Sequence, residues 1–204
     1  MRELIVKNSE WTICFRTVLT GGVSQDAFTP LAGQETLLIL TELLQAVPTE
    51  IMEGGATVMT LDHVRTFPQV KMTHYVSAIQ TLPKRKSMQA LETLYVQNGV
   101  ISECAQSNFF IVKNGVVITT SENALLGITQ KLILEKLAPD NQIPIEVRTI
   151  LLEEVLTADE AFLTGSNKGV VPIVKIDEYK IGDGTPGAVT QKLMQLYREF
   201  LQRT

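Results

Sequence analysis

Lys71 is the residue of this 204-residue chain best placed to do covalent chemistry. It is the only lysine between Lys7 and Lys84, and it follows Pro68 after an apolar run, Ala56–Leu61. A lysine in apolar surroundings loses solvation of its charged form, its pKa falls, and the neutral amine can attack an aldehyde to form a Schiff base. The competing reading is a solvated lysine at a helix start. Tyr75 stands four residues on, so on a helix Thr73–Leu82 it shares the face of Lys71. Its competing reading is a half-buried core tyrosine. Gly127-Ile128-Thr129 opens another expected helix, whose unpaired N–H groups suit an anion. Thr129 can equally be a plain helix cap. Thr164-Gly165-Ser166-Asn167 follows a strand and offers hydroxyls and backbone N–H groups, although Gly and Ser are also ordinary turn residues.

Those residues need elements to hold them. Arg2–Lys7 reads as a helix end. Trp11–Leu19 alternates and is rich in β-formers, so a strand is expected, broken by Gly21-Gly22. Ser24–Gly33 reads as loop. Thr36–Leu44 is a continuous apolar run that fits a buried strand or a short helix, and periodicity alone does not choose. Pro48 opens a short helix closed by Gly54-Gly55. Two hairpins are expected, Leu91–Val96 with Gly99–Ser102, and Phe109–Val112 with Val116–Thr119, the second carrying the strong turn signal Asn114-Gly115. Thr129–Leu137 is amphipathic, with Pro139 as its stop. Ile143–Arg148 and Glu160–Leu163 read as strands, and Val170–Ile176 with Glu178–Ile181 as a bent hairpin. The last helix puts Val189, Leu193, Leu196, Tyr197 and Phe200 on one side. Mixed hairpins and helices make the chain α+β.

Composition excludes several classes. A net charge of −4 leaves no basic footprint for nucleic acid. No apolar run reaches the ~20 residues that span a bilayer, and the first residues have no signal-peptide pattern. Two cysteines, Cys14 and Cys104, make no disulfide framework, and a cytoplasmic location is expected. With His63 and His74 they give no metal-ligand spacing. Lys84-Arg85-Lys86 reads as a solvated helix end.

Lys71-Met-Thr-His-Tyr75 resembles the K-x-x-N-Y segment of the class IV, or fold type IV, pyridoxal-phosphate aminotransferases. Ile101–Val112, Leu126–Gln130 and Leu163–Ile173 fall in that family's order and roughly its spacing. The resemblance runs from Leu4 nearly to the end. It implies the large C-terminal pseudo-barrel domain of the D-amino acid aminotransferase-like fold and pyridoxal 5′-phosphate as cofactor. It implies transfer of an amino group between a branched-chain or similar amino acid and a 2-oxo acid, in a homodimer without nucleic-acid or membrane partners. It gives Lys71 the catalytic amine, Glu103 the ring nitrogen and Tyr75 the ring hydroxyl. Ser102, Cys104 and Ala105 beside Glu103 are small enough for a flat ring to approach. Asn108 would order the Glu103 turn, and Ile128, Thr129, Ser166 and Asn167 would take the phosphate. Alternatives are a lyase of the aminodeoxychorismate type, or a non-catalytic dimerisation or ligand-binding remnant.

The family also carries a small domain ahead of the position matching Leu4, with an arginine for the phosphate. Residues 1–22 are expected to be its remnant, 23–35 an interdomain loop and 36–204 the cofactor-binding domain. Arg65 is a stand-in anion partner. Gly21-Gly22 replaces the usual Arg-Gly, Ser24-Gln25-Asp26 replaces the R-x-H pair of the D-amino acid enzymes, and His74 stands in place of asparagine.

Overall fold

A computed structural model describes residues 1–203, in two compact units, Met1–Ala46 and Val47 onward. In the first, helix α1 (Arg2–Lys7) precedes strands β1 (Ile13–Thr20) and β2 (Thr36–Leu43). These pair antiparallel without a break, from Ile13 opposite Leu43 to Thr20 opposite Thr36. Exposed Arg16 bridges to Glu42 at 2.7 Å. In the loop between them Asp26 accepts the N–H of Thr29 at 2.6 Å and of Phe28 at 2.9 Å, bonds that hold its carboxyl below the ordinary range.

The expected division at residues 22 and 35 is therefore moved. The apolar strand at 36–43 finds its backbone partner in β1, so the chain divides after Ala46, just before Pro48.

The second unit is α+β, as the alternation of hairpins and helices requires. Helix α2 (Thr49–Gly54) leads into β3 (Ala56–Asp62). Short helices α3 (Val76–Gln80) and α4 (Leu82–Ser87) follow, then β4 (Glu92–Gln97), β5 (Val100–Cys104), β6 (Asn108–Lys113) and β7 (Val116–Thr119). Helix α5 (Ile128–Leu132) continues through a π-helical turn, Ile133–Leu137, into α6 (Ala138–Asp140). Then come β8 (Ile145–Val147), β9 (Ile150–Leu151), α7 (Leu152–Val155), β10 (Glu160–Gly165), β11 (Gly169–Ile176), β12 (Tyr179–Lys180) and α8 (Ala188–Arg203). One sheet takes all ten strands in the order β8-β7-β6-β10-β11-β3-β4-β5-β9, with β12 on β11. Strand β3 is parallel to both its neighbours, while the hairpins are antiparallel.

Period-2 alternation gives the sheet two apolar faces. Val58, Leu94, Ile101, Phe109, Ile111, Leu163 and Val171 form one buried cluster. Its members come from both halves of the strand order, so the sheet must curl around them. The alternate residues Phe110, Val112, Phe162 and Val170 face outward onto Ile133 and Leu137 and onto Leu193 and Met194 of α8. Phe110 and Phe162 stack with centroids 4.6 Å apart.

Two expected helices differ from their pattern. Thr73–Leu82 is helical only from Val76, because Lys71–Tyr75 has no regular structure, and a second helix restarts at Leu82-Pro83. Pro139, expected to stop a helix, lies inside α6 instead. The π turn just before it loosens the i→i−4 ladder that a proline ring would otherwise break.

Candidate active site

The site is built from turns and irregular segments that side-chain hydrogen bonds tie to Glu103 and Asn108. Glu103, near the end of β5, is buried. Its Oε1 accepts from Arg65 Nη1 at 2.7 Å, an ion pair with side chains 5% and 19% exposed. Its Oε2 accepts the backbone N–H of Leu125 at 3.0 Å. Arg65 follows β3, and its guanidinium also donates to the carbonyls of Pro68, at 3.2 Å, and Val70, at 2.5 Å. One guanidinium thus ties Glu103 to the irregular segment that carries Lys71. The peptide leading into Lys71 lies two hydrogen bonds from the Glu103 carboxylate.

A second set of bonds holds the segment before α5. Asn108, the first residue of β6, donates from Nδ2 to Leu125 O at 2.6 Å. Its Oδ1 lies over Gly127, where an added Cβ would meet it at 2.0 Å. Gln130 Oε1 accepts Gly127 N–H at 3.2 Å, and Gln130 Nε2 donates to Thr120 O at 3.2 Å. The first N–H bonded into the helix is that of Lys131, to Gly127 O at 2.8 Å. Thr129 is buried in that first turn, and Ile128 is exposed. Thr164 stands opposite Asn108 in the β10–β6 pairing. It is buried, and its hydroxyl has no hydrogen-bond partner among the described residues. Ser166 and Asn167 lie exposed in the turn that follows.

Tyr75 is half-buried just before α3 and lines a cavity of about 210 Å³ with Ala105, Gln106 and Arg85. The cavity brings it to the turn that follows Glu103.

Four sequence expectations are corrected here. Lys71 is exposed, and so are Phe67, Val70 and Met72 around it. The segment folds no apolar shell about its amine, because its backbone is irregular and its apolar side chains face outward. Tyr75 shares no helical face with Lys71, since both precede α3. Arg65 is no free anion partner: its guanidinium is committed to Glu103 and two carbonyls. Arg85, expected to be solvated, also departs from its pattern and keeps its Nε buried without a partner among the described residues. His63 stacks edge-on against Tyr95, centroids 4.7 Å apart. Burial, then His74 and Arg65, holds its pKa below 6.5, while burial pushes Tyr95 up to about 12.

A sequence profile described as amino-transferase class IV matches residues 1–176. The chain belongs to that family. It is similar to a probable branched-chain-amino-acid aminotransferase of Aquifex aeolicus, 42% identical over 101 residues, covering 48% of this chain and 32% of that one. A branched-chain-amino-acid aminotransferase of Pseudomonas aeruginosa is 35% identical over 160 residues, 74% of this chain and 52% of its own. A D-alanine aminotransferase of Listeria monocytogenes is 31% identical over 180 residues, 85% of this chain and 60% of its own. Among solved structures, the branched-chain amino acid aminotransferase of Escherichia coli superposes with a TM-score of 0.83 at 28% identity, over 95% of this chain and 67% of that one. The branched-chain amino acid aminotransferase of T.th., solved with pyridoxamine 5′-phosphate, superposes with a TM-score of 0.82 at 25% identity, over 97% and 68%. The chain spans between about a third and three fifths of the length of these curated relatives.

Class IV aminotransferases use pyridoxal phosphate, and the residues present fit such a group. Thr164 offers a buried hydroxyl with no acceptor among the described residues. The first turn of α5 presents N–H groups ahead of its first internal bond. Each Glu103 oxygen accepts one bond and keeps a lone pair.

Sequence reasoning passed over Glu92, Ser107 and Lys168. Glu92 is buried, and it accepts from Lys168 Nζ at 2.5 Å, Ser107 Oγ at 2.5 Å and Gln106 N at 3.0 Å. The available signal was a lone acid, Leu91-Glu92-Thr93-Leu94, opening an apolar strand; its partner is 76 residues away.

Proposed function

We propose that this chain is the cofactor-binding part of a pyridoxal-5′-phosphate-dependent aminotransferase acting between a branched-chain or similar amino acid and a 2-oxo acid. One observation carries the reading: the Arg65 guanidinium joins Glu103 to the peptide that leads into Lys71. The backbone leading to the proposed amine is thereby tied to the proposed acid.

When bound, pyridoxal phosphate takes up the electron pair left on the substrate α-carbon. The chain's own residues would do the rest. Lys71 holds the cofactor and moves the α-carbon proton as general base and acid. Glu103 accepts a hydrogen bond from the ring nitrogen and so stabilises its cationic form. Arg65 and the Leu125 N–H fix that carboxylate in one orientation. Tyr75 donates to the ring oxygen. The N–H groups at Ile128 and Thr129, the Thr164 hydroxyl, and Ser166 with Asn167 receive the phosphate. The same reading carries a homodimer as the working form and a reducing, cytoplasmic setting, which suits the free thiols of Cys14 and Cys104.

The test is uptake of pyridoxal phosphate by wild-type protein and by Lys71→Ala, followed by absorbance. Wild type is expected to gain the band of a lysine-linked cofactor and Lys71→Ala to lack it. Lys71 is an exposed side chain on an irregular segment, so the substitution should shift stability by no more than about 0.5 kcal/mol. A folded Lys71→Ala protein that keeps the band rules the reading out.

A further inference from the structure

Two turns meet at the Glu92 carboxylate. Glu92 opens β4 with its side chain 2% exposed. Oε1 accepts from Lys168 Nζ and from Ser107 Oγ, both at 2.5 Å, and Oε2 accepts Gln106 N–H at 3.0 Å. Lys168 Nζ, its side chain 11% exposed, also reaches Gln106 Oε1 at 3.4 Å. Gln106 and Ser107 form the turn between Glu103 and Asn108, and Ser107 O accepts Cys104 N–H at 2.8 Å. Lys168 ends the turn that contains Ser166 and Asn167, and its N–H closes that turn onto Gly165 O at 3.1 Å. Gly165 lies close to Ser107: an added Cβ would stand 3.3 Å from Ser107 Oγ.

From this we infer that Glu92 and Lys168 are a positioning pair that sets the 166–167 turn against the Glu103–Asn108 turn, and so aims the phosphate donors of the former. The inference rests on the reading of this chain as a pyridoxal-phosphate site. Neither side chain touches the cofactor in that reading; each acts through a turn. A buried pair satisfied by two further donors is rigid, and neutralising either end frees the other. The 166–167 turn is closed at its base by the Gly165–Gly169 pairing of β10 and β11, and among the described residues no side-chain hydrogen bond other than those of Lys168 sets it against the Glu103–Asn108 turn. The Glu103 carboxylate is held independently, by Arg65 and Leu125. Loss of the pair should therefore spoil recognition of the phosphate while sparing recognition of the ring.

The experiment compares pyridoxal 5′-phosphate with pyridoxal, which lacks the phosphate, by titration against wild type and two variants. Lys168→Met leaves the Glu92 charge buried and unpaired, so it is accompanied by Glu92→Gln/Lys168→Met, which removes both charges and keeps the packing. In each folded variant, affinity for the phosphorylated cofactor is expected to fall about tenfold or more, the worth of one charge-assisted contact. Affinity for pyridoxal should stay within about twofold of wild type. Equal losses for both compounds make the pair an ordinary structural bridge and overturn the inference, as does no loss in the double variant. If wild type takes up neither compound, the cofactor reading fails and this inference falls with it. If wild type loads through Lys71 and the variants keep its ratio of affinities, only this inference falls.

Discussion

Glu103 and Asn108 hold one residue from both sides: Glu103 Oε2 accepts the N–H of Leu125 at 3.0 Å, and Asn108 Nδ2 donates to its carbonyl at 2.6 Å. Leu125 has its peptide groups fixed by two side chains from opposite ends of the β5–β6 turn. The helix that follows Gly127 is therefore set relative to the Glu103 carboxylate by the same short stretch of chain. A proposed ring partner and a proposed phosphate cradle share one mount.

Asn108→Ala removes the carbonyl's donor and should cost about 1–2 kcal/mol, a buried hydrogen bond with one group left unpaired. Amide exchange should rise at Leu125 and across the segment leading to Gly127. Asn108→Asp should not restore protection, because a carboxylate has no N–H to offer. Unchanged exchange at these amides in both variants would show that the mount is held elsewhere.

Arg65 is the more severe deletion. Arg65→Met leaves Glu103 as an unpaired buried charge and should cost about 3–5 kcal/mol. Glu103→Gln added to Arg65→Met removes that charge and should recover part of the loss. Chemical denaturation of the two variants measures the difference. A double variant no more stable than Arg65→Met alone would mean that the Glu103 charge is compensated by groups other than Arg65.

Much of this was legible locally and little of it across distance. The apolar runs Phe109–Val112 and Glu160–Leu163 read as the strands they are, and Asn114-Gly115 marked its hairpin turn. The boundary of the first unit was not legible, since Thr36–Leu44 is a continuous apolar run whichever sheet it joins. Neither was the commitment of Arg65 to Glu103, 38 residues away, nor that of Glu92 to Lys168. Side-chain pairing between turns leaves no period in a sequence. Lys71 shows the reverse error: its neighbours are apolar in sequence but face outward, because apolar composition does not bury an irregular segment.

The two cysteines should differ sharply in reactivity. Cys104 is 1% exposed, and burial pushes its thiol pKa well up, with Glu92 adding to the effect, so thiolate is scarce. Cys14 lies part-exposed on β1, its Sγ 3.6 Å from Glu42 O. An alkylating reagent at neutral pH should modify Cys14 first and Cys104 only after denaturant is added. Mass mapping of the modified peptides reads the order, and early labelling of Cys104 would contradict its burial.

His63 should make the fold sensitive to mild acid. Burial, with His74 and Arg65 nearby, holds its pKa in the folded chain below the ordinary 6.5. The unfolded chain then binds the proton more readily, so stability is fully present above about pH 6.5 and falls as pH drops through the folded pKa. His63→Phe keeps an aromatic ring against Tyr95, 4.7 Å between centroids in the wild type, and removes the titration. Thermal unfolding followed from about pH 7.5 down to about 5 should show wild type losing more stability than His63→Phe, since carboxylates common to both contribute equally. Parallel curves for the two proteins would mean that His63 titrates alike folded and unfolded, and that the ring against Tyr95 is no barrier to its charge.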